Sequence, residues 1–242
     1  MRENEHVWQR REVVYQYLTG TRKALPYLAD LFAFALDALS RQPTLPSTFL
    51  DLGAGDGFFA EMILDVYPEA FAILVDNSAE MREAATHRLK NHQGRYLMAD
   101  LDLGKAGGLK KTISGRSVNA VVSSFAIHHL TTQAKKNLYS EISEILPEGH
   151  AFVNVEHVSP RSSRFEDLFE ETVATNMAIS KGIAPESDEF KRLLSDFKQR
   201  DDKKKNILEP VEDQLRWLEE AGFSEVECTF RCLELATIVA YK

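Results

Sequence analysis

The feature that most constrains this chain is an apolar segment, Thr48–Leu52, that runs directly into Gly53-Ala54-Gly55-Asp56-Gly57. An amphipathic segment starts at once with Phe58. Three glycines in five residues permit a turn too tight for most side chains and leave backbone N–H groups open at the start of a helix. Strand, turn and helix in immediate succession form the opening unit of a parallel α/β sheet. A dinucleotide-binding turn would carry a further glycine where Phe58 stands. Asp51 lies just ahead of the first glycine and Asp56 at the exit. That departure and those acids suit a ligand with a cationic amine rather than a pyrophosphate.

The rest of the chain agrees with such a sheet. Residues 1–40 read as helical, with Leu25, Leu28, Phe32, Ala35, Leu36 and Leu39 on one stripe and Gly20 separating a shorter first helix. Pro43 and Pro46 close this part as an extended linker. Strands are then expected at 48–52, 70–75, 95–98, 118–123 and 151–155, with helices after the first, second and fourth. Ser78 reads as an N-cap. Residues 158–206 interrupt the alternation with two helices, around Phe165–Val173 and Phe190–Phe197. Ten basic and ten acidic side chains in this insert read as a solvated face, and Lys203-Lys204-Lys205 as a solvated loop. A helix around Leu215, Trp217 and Leu218 follows, capped at Gly222. Strands at 226–230 and 236–241 are joined too closely for a crossover helix, so they should form an antiparallel hairpin.

Composition excludes several classes. The net charge of −8 argues against a protein that grips a long phosphate backbone. The two cysteines, Cys228 and Cys232, read as ordinary side chains in a reducing compartment. Met1-Arg2-Glu3-Asn4-Glu5-His6 is charged, without an apolar signal core, and no apolar run is long enough to span a membrane. The expected location is cytoplasmic.

In an open parallel sheet, ligands bind beyond the carboxyl ends of the strands. The residues there are 51–57, Asp76, Asp100, 123–129 and Glu156-His157. Asp76 suits a ribose diol, whose two hydroxyls it can accept from. Asp100-Leu101 pairs an acceptor for an exocyclic amine with an apolar contact for a ring face.

With these residues in view, the chain resembles the class I S-adenosylmethionine-dependent methyltransferases, closest to their small-molecule branch. The resemblance rests on Asp51-Leu52-Gly53-Ala54-Gly55-Asp56-Gly57, Leu74-Val75-Asp76-Asn77-Ser78-Ala79-Glu80-Met81, Ala99-Asp100-Leu101 and Val121-Val122-Ser123-Ser124-Phe125-Ala126-Ile127-His128-His129-Leu130. Pro147-Glu148-Gly149-His150 fits too, though the family more often has glycine where His150 stands. The resemblance is tight over 48–157, topological over 210–242, and silent on 1–40 and 158–206. It implies a doubly wound, Rossmann-like α/β fold of seven mostly parallel strands, the last antiparallel. One domain is expected: an N-terminal helical lid (1–46), a cofactor-binding core (48–157), a helical insert or lid (158–206), and a closing helix and hairpin (207–242). It further implies an S-adenosyl-L-methionine site formed by Asp51, Gly53, Ala54, Gly55, Asp76, Asn77, Met81, Asp100, Leu101, Ser123 and Ser124.

The implied activity is methyl transfer to O or N of a small molecule by in-line displacement. A hydroxyl or ammonium acceptor must lose a proton, which calls for a base near the methyl group. His128, as base or substrate contact, and His157, with Glu156 as its orienter or as a cation partner, follow the strands where that base should sit. His129, set before Leu130, reads as a structural residue. Tyr15, Tyr17 and Arg22 are candidates to fold over the cofactor carboxylate. No metal ligand set is expected. No Cys stands near the fourth strand for cytosine-C5 chemistry. The Asn/Asp-Pro-Pro-Tyr/Phe signature of nucleic-acid and protein amine methylation is missing, as are a carboxylate cluster for catechol-type methylation and the several thiols for arsenic. The expected partner is a small-molecule acceptor, with no membrane or nucleic acid; a homodimer is compatible with the chain. The alternatives are a tRNA or protein side-chain methyltransferase, or a non-catalytic S-adenosylmethionine-binding protein.

Overall fold

The computed structural model describes residues 8–185 and 187–242. The charged stretch at 1–6 and Glu186 lie outside them. Seven strands, β1 (Thr48–Leu52), β2 (Phe71–Val75), β3 (Tyr96–Ala99), β4 (Ala120–Ser124), β5 (Ala151–His157), β6 (Glu225–Cys232) and β7 (Leu235–Tyr241), form one sheet in the order 3-2-1-4-5-7-6. β1 to β5 pair in parallel, and β7 lies antiparallel between β5 and β6. The two-residue turn at Leu233-Glu234, with Leu233 at φ 55°, makes the closing hairpin.

Both faces of the sheet are covered, which explains the near-continuous apolar runs of its central strands. On one face α3 (Leu28–Ser40) and α4 (Phe58–Val66) bury Leu31, Phe32, Phe59 and Ile63 against Phe49, Leu74 and Val122. On the other, α7 (Thr132–Ile145) and α10 (Val211–Glu220) bury Tyr139, Ile142 and Leu218 against Leu50, Ile73 and Phe152. Period-2 alternation sends Phe49 and Asp51 to the first face and Leu50 and Leu52 to the second. α5 (Ala79–Arg88) is capped by Ser78, whose Oγ accepts from the Met81 N–H at 3.2 Å. A short α6 (Leu109–Ile113) precedes β4.

The N-terminal segment breaks at a different place from the one its glycine suggests. α1 (Arg11–Gln16) passes through a π-helical turn containing Gly20 into α2 (Arg22–Ala24), without a stop. The break comes at Pro26-Tyr27, where Tyr27 sits at φ 55°. Proline disfavours helix in the residue before it, and the left-handed residue after it turns the chain. Gly20 is instead a contact point for Met177. The insert is α8 (Ser163–Lys181) and α9 (Asp188–Gln199). Its lysine run is no solvated loop: Lys203–Lys205 form a 3-10 turn, and Lys203 Nζ binds Glu166 (2.8 Å) and the buried Glu170. Among the described residues no helix is long and apolar enough to cross a membrane.

Candidate active site

The strand order reverses between β1 and β4, and the crevice beyond their carboxyl ends is the topological switch point. A cavity of about 300 Å³ opens there. Its floor is Gly53-Ala54-Gly55, one side is Asp76, Asn77 and Met81, and the other is Ser124-Phe125-Ala126.

The glycine turn is fixed from behind. The Ala54 N–H donates to Val75 O (2.9 Å), and the Gly55 N–H donates to Asp76 Oδ2 (2.9 Å). Gly53 has φ +65°, and a Cβ on it would lie 2.3 Å from the Ala126 Cβ. Only glycine lets the β1 turn and the β4 exit approach this closely. Phe125, at φ 50°, sits at that exit with its N–H bonded to Val155 O at 2.8 Å. A non-glycine residue held in this region costs about 1–3 kcal/mol, a concentration of strain typical of functional sites.

The acids around the turn have different partners. Asp56 is held by Arg22 (2.5 and 2.9 Å) and by Arg88 (2.6 Å). It is therefore committed within the protein rather than open to a ligand amine. Both guanidiniums lie over the Phe58 ring, at 4.8 and 5.5 Å from its centre. Phe58, which stands where a dinucleotide-binding turn has a further glycine, thus serves as a platform for both arginines. Asp76 accepts the Gly55 and Ser78 N–H groups (2.9 and 2.8 Å), which oppose the upward push that burial gives its carboxyl. Asp51 is wholly buried, and neither oxygen has a hydrogen-bond partner. Burial, and then the neighbouring Asp76 and Asp56, push it up to about 8; the lowering from the Ala60 N–H is minor.

Other candidate residues are displaced from the cavity wall. Asp100 points outward and pairs with Arg82 at 3.2 Å; Leu101, Asp102 and Leu103 line the cavity in its place. The strand runs one residue further than its apolar pattern suggests, through Ala99, and this carries the next side chain to the outside. Ser123 is buried and donates to Leu52 O (2.8 Å), a tie between β4 and β1, while Ser124 lines the cavity. Asp51 lies behind the turn rather than on the wall.

The N-terminal helices close the cavity. Trp8, Tyr17 and Arg22 line it, and the Trp8 and Tyr17 rings meet edge to face at 5.3 Å. Tyr15 is exposed and takes no part. Trp8 Nε1–H donates to His129 Nε2 at 3.1 Å, and the Ser78 hydroxyl donates to Trp8 O at 2.6 Å. The lone pair of His129 is thereby occupied, so this imidazole is a wall residue and not a base. Trp8 and Lys205 carry no pattern that marks them as wall residues in the sequence; the fold alone brings them there.

A second, smaller cavity of about 40 Å³ adjoins the first and shares Trp8, Tyr17, Phe125 and His129 with it. His128 from the β4 exit and His157 from the end of β5 line it, under Phe169 and Phe197 of the insert. His128 Nδ1 is 2.6 Å from Glu156 Oε1, and His157 Nε2 is 2.7 Å from Glu234 Oε2. The Glu156 expected beside its sequence neighbour His157 therefore orients His128 instead, and Glu234 of the hairpin turn holds His157. A strand's alternation explains the exchange, since residues 156 and 157 point to opposite faces. Burial holds His128 neutral, well below the ordinary histidine range, with His157, Lys135 and Arg200 adding to the effect. Its Nδ1–H donates to Glu156, which leaves Nε2 with a free lone pair.

Residues 49–149 match a family model described as a methyltransferase domain. Over those residues the chain carries a methyltransferase domain. A carboxy-S-adenosyl-L-methionine synthase of Nautilia profundicola is 22% identical over 226 residues, which cover 91% of this chain and 88% of that protein. Among solved structures, an O-methyltransferase family protein from Burkholderia thailandensis superposes with TM-score 0.58 at 13% identity, over 97% of this chain and 63% of that one. An O-methyltransferase family 2 protein from Planctomyces limnophilus, in complex with apigenin, gives 0.61 at 16%, over 100% and 62%. This methyltransferase thus spans somewhat under two thirds of those longer chains.

The cavity of this methyltransferase fits S-adenosylmethionine on its own chemistry. The unpartnered Asp51 carboxyl lies behind the floor, where a cationic ligand would compensate it, and Asp76 stands on the wall with lone pairs to spare for a diol. The glycine floor is open because a Cβ there would fill it.

Proposed function

We propose that this enzyme transfers a methyl group to an oxygen or nitrogen of a small molecule bound in the smaller cavity, with His128 as the base. The observation that supports this reading is the His128–Glu156 dyad, a neutral imidazole with a fixed tautomer on the wall of the smaller cavity, next to His129, which both cavities share. The bound cofactor supplies an activated methyl group, so the chain's residues align the acceptor and strip water from it. The acceptor's lone pair would displace sulfur at the methyl carbon, and sulfur would leave with the bonding pair. His128 Nε2 takes the acceptor's proton, and Glu156 stabilises the imidazolium that results. His157, fixed by Glu234 and with its ring edge to face against that of His128 at 5.5 Å, positions the acceptor from beside it.

In the same proposal Asp76, Asn77 and Met81 hold the ribose side, and Leu101 with Asp102 frames the adenine. Gly53–Gly55 and Ser124 cradle the methionine part. Residues 8–24 and 158–206 are the lid, and the enzyme works in the cytoplasm with its two cysteines free. The enclosed cavities and the acidic balance favour a metabolite over tRNA or a protein side chain.

The test is turnover of methyl-labelled cofactor with fractionated metabolites. His128→Ala should lower kcat by about 10²–10⁴-fold while leaving cofactor affinity unchanged. Full turnover by that variant would remove the base assignment. A second reading is favoured by the length match to the Nautilia protein, which extends well beyond residues 49–149 to 91% of this chain. There the cofactor itself is modified. Mass spectrometry of the recovered cofactor separates the two readings: loss of the methyl group supports transfer, and gain of a carboxyl group supports the second.

A further inference from the structure

Three acids surround the glycine turn, and two are compensated within the protein: Asp56 by Arg22 and Arg88, Asp76 by two backbone N–H groups. Asp51 has neither. It is wholly buried on β1 between Leu74 of β2 and Val122 of β4. The charged groups nearest it are the carboxylates of Asp76 and Asp56, and α4 offers only the Ala60 N–H. An isolated carboxylate in such a place is expensive, and a carboxylic acid is much less so.

We propose that Asp51 is a proton-coupled counter-ion for the methyl donor: neutral in the ligand-free protein, it ionises as the cationic donor binds, so that donor uptake ejects about one proton. The cavity floor that faces the donor is the turn directly in front of Asp51. A cation there acts on Asp51 through protein rather than water, where electrostatic coupling is strong. Burial and two like charges set the free acid at about 8, so nearly all of it is protonated at pH 6.5. The other titrating groups in reach are accounted for. Burial keeps His128 and His129 neutral, and an α-amino group such as the donor's is already protonated at that pH. Asp76 is the one competing source of a proton, because burial raises it too.

Isothermal titration of the full chain with S-adenosylmethionine at pH 6.5, in two buffers of very different ionisation enthalpy, counts the protons. The expected count approaches one in the native protein and falls to near zero in Asp51→Asn, whose side chain matches the neutral acid in shape. A native count near zero overturns the proposal, and so does a count unchanged in Asp51→Asn, which would assign the proton to Asp76. Should the variant not fold, donor affinity of the native protein between pH 6 and 7.5 decides: it should tighten more than tenfold with rising pH, and a flat profile overturns the proposal. Binding without proton release leaves the methyltransferase assignment intact; failure to bind the donor at all would contradict that assignment instead.

Discussion

At the residue scale the chemistry is set by what each polar group already has as a partner. His128 and His129 are sequence neighbours with rings 4.0 Å apart, yet one keeps a free lone pair and the other spends its own on Trp8. Asp51 has a consequence for stability as well as for binding. Its folded value, about 8, lies above the ordinary 3.8, so the folded chain binds a proton that the unfolded chain has lost between those limits. Stability of the ligand-free protein should therefore fall as pH rises from about 4 to 8, by a total on the order of 5 kcal/mol, and then level off. Urea titrations across that range should show the slope in the native protein and lose most of it in Asp51→Asn. Asp76→Ala should weaken S-adenosylmethionine binding by about 1–3 kcal/mol, through an unpaired diol and a turn that loses its tie at Gly55. Calorimetry with unaltered affinity would contradict that role.

The element scale shows why some features were legible in the sequence and others were not. β1, β2 and β4 stood out because strands covered on both faces must be apolar throughout, and the turn at 53–57 because close approach to Ala126 excludes a side chain. The wall residue after β3 was misplaced by a shift of one position, since the short run at 95–99 does not show where pairing with β2 ends. Gly20 looked like a break, but helix propensity is weak against the packing of α2 and α8. Glu156 and His157 stood out as candidates, but their partners across the site, His128 and Glu234, lie on other parts of the fold. Three substitutions test the elements. Gly53→Ala should abolish donor binding, and Ala126→Gly on top of it should restore little, because φ +65° remains strained. Arg22→Ala should release the N-terminal lid from Asp56, and stopped-flow displacement should show faster cofactor dissociation with Asp56 still held by Arg88.

On the scale of the whole molecule, the sheet brings two cavities together at the point where its strand order reverses. In the proposed function the larger takes the donor, and the smaller, under Phe169 of α8 and Phe197 of α9, takes the acceptor. The N-terminal helices touch both, through Trp8 and Tyr17. A donor that bridges β1, β2, β4 and the lid should stabilise the fold by about 2.7 kcal/mol at a concentration 100 times its dissociation constant, visible as a rise in Tm. Where the methyl group goes decides the function. The direct measurement is transfer of labelled methyl from S-adenosylmethionine to a metabolite fraction, with the native enzyme beside His128→Ala. The expected result is a labelled O- or N-methyl product that depends on His128, with demethylated cofactor recovered in equal amount. A cofactor that is bound and returned with its methyl group, whatever fraction is offered, would contradict it.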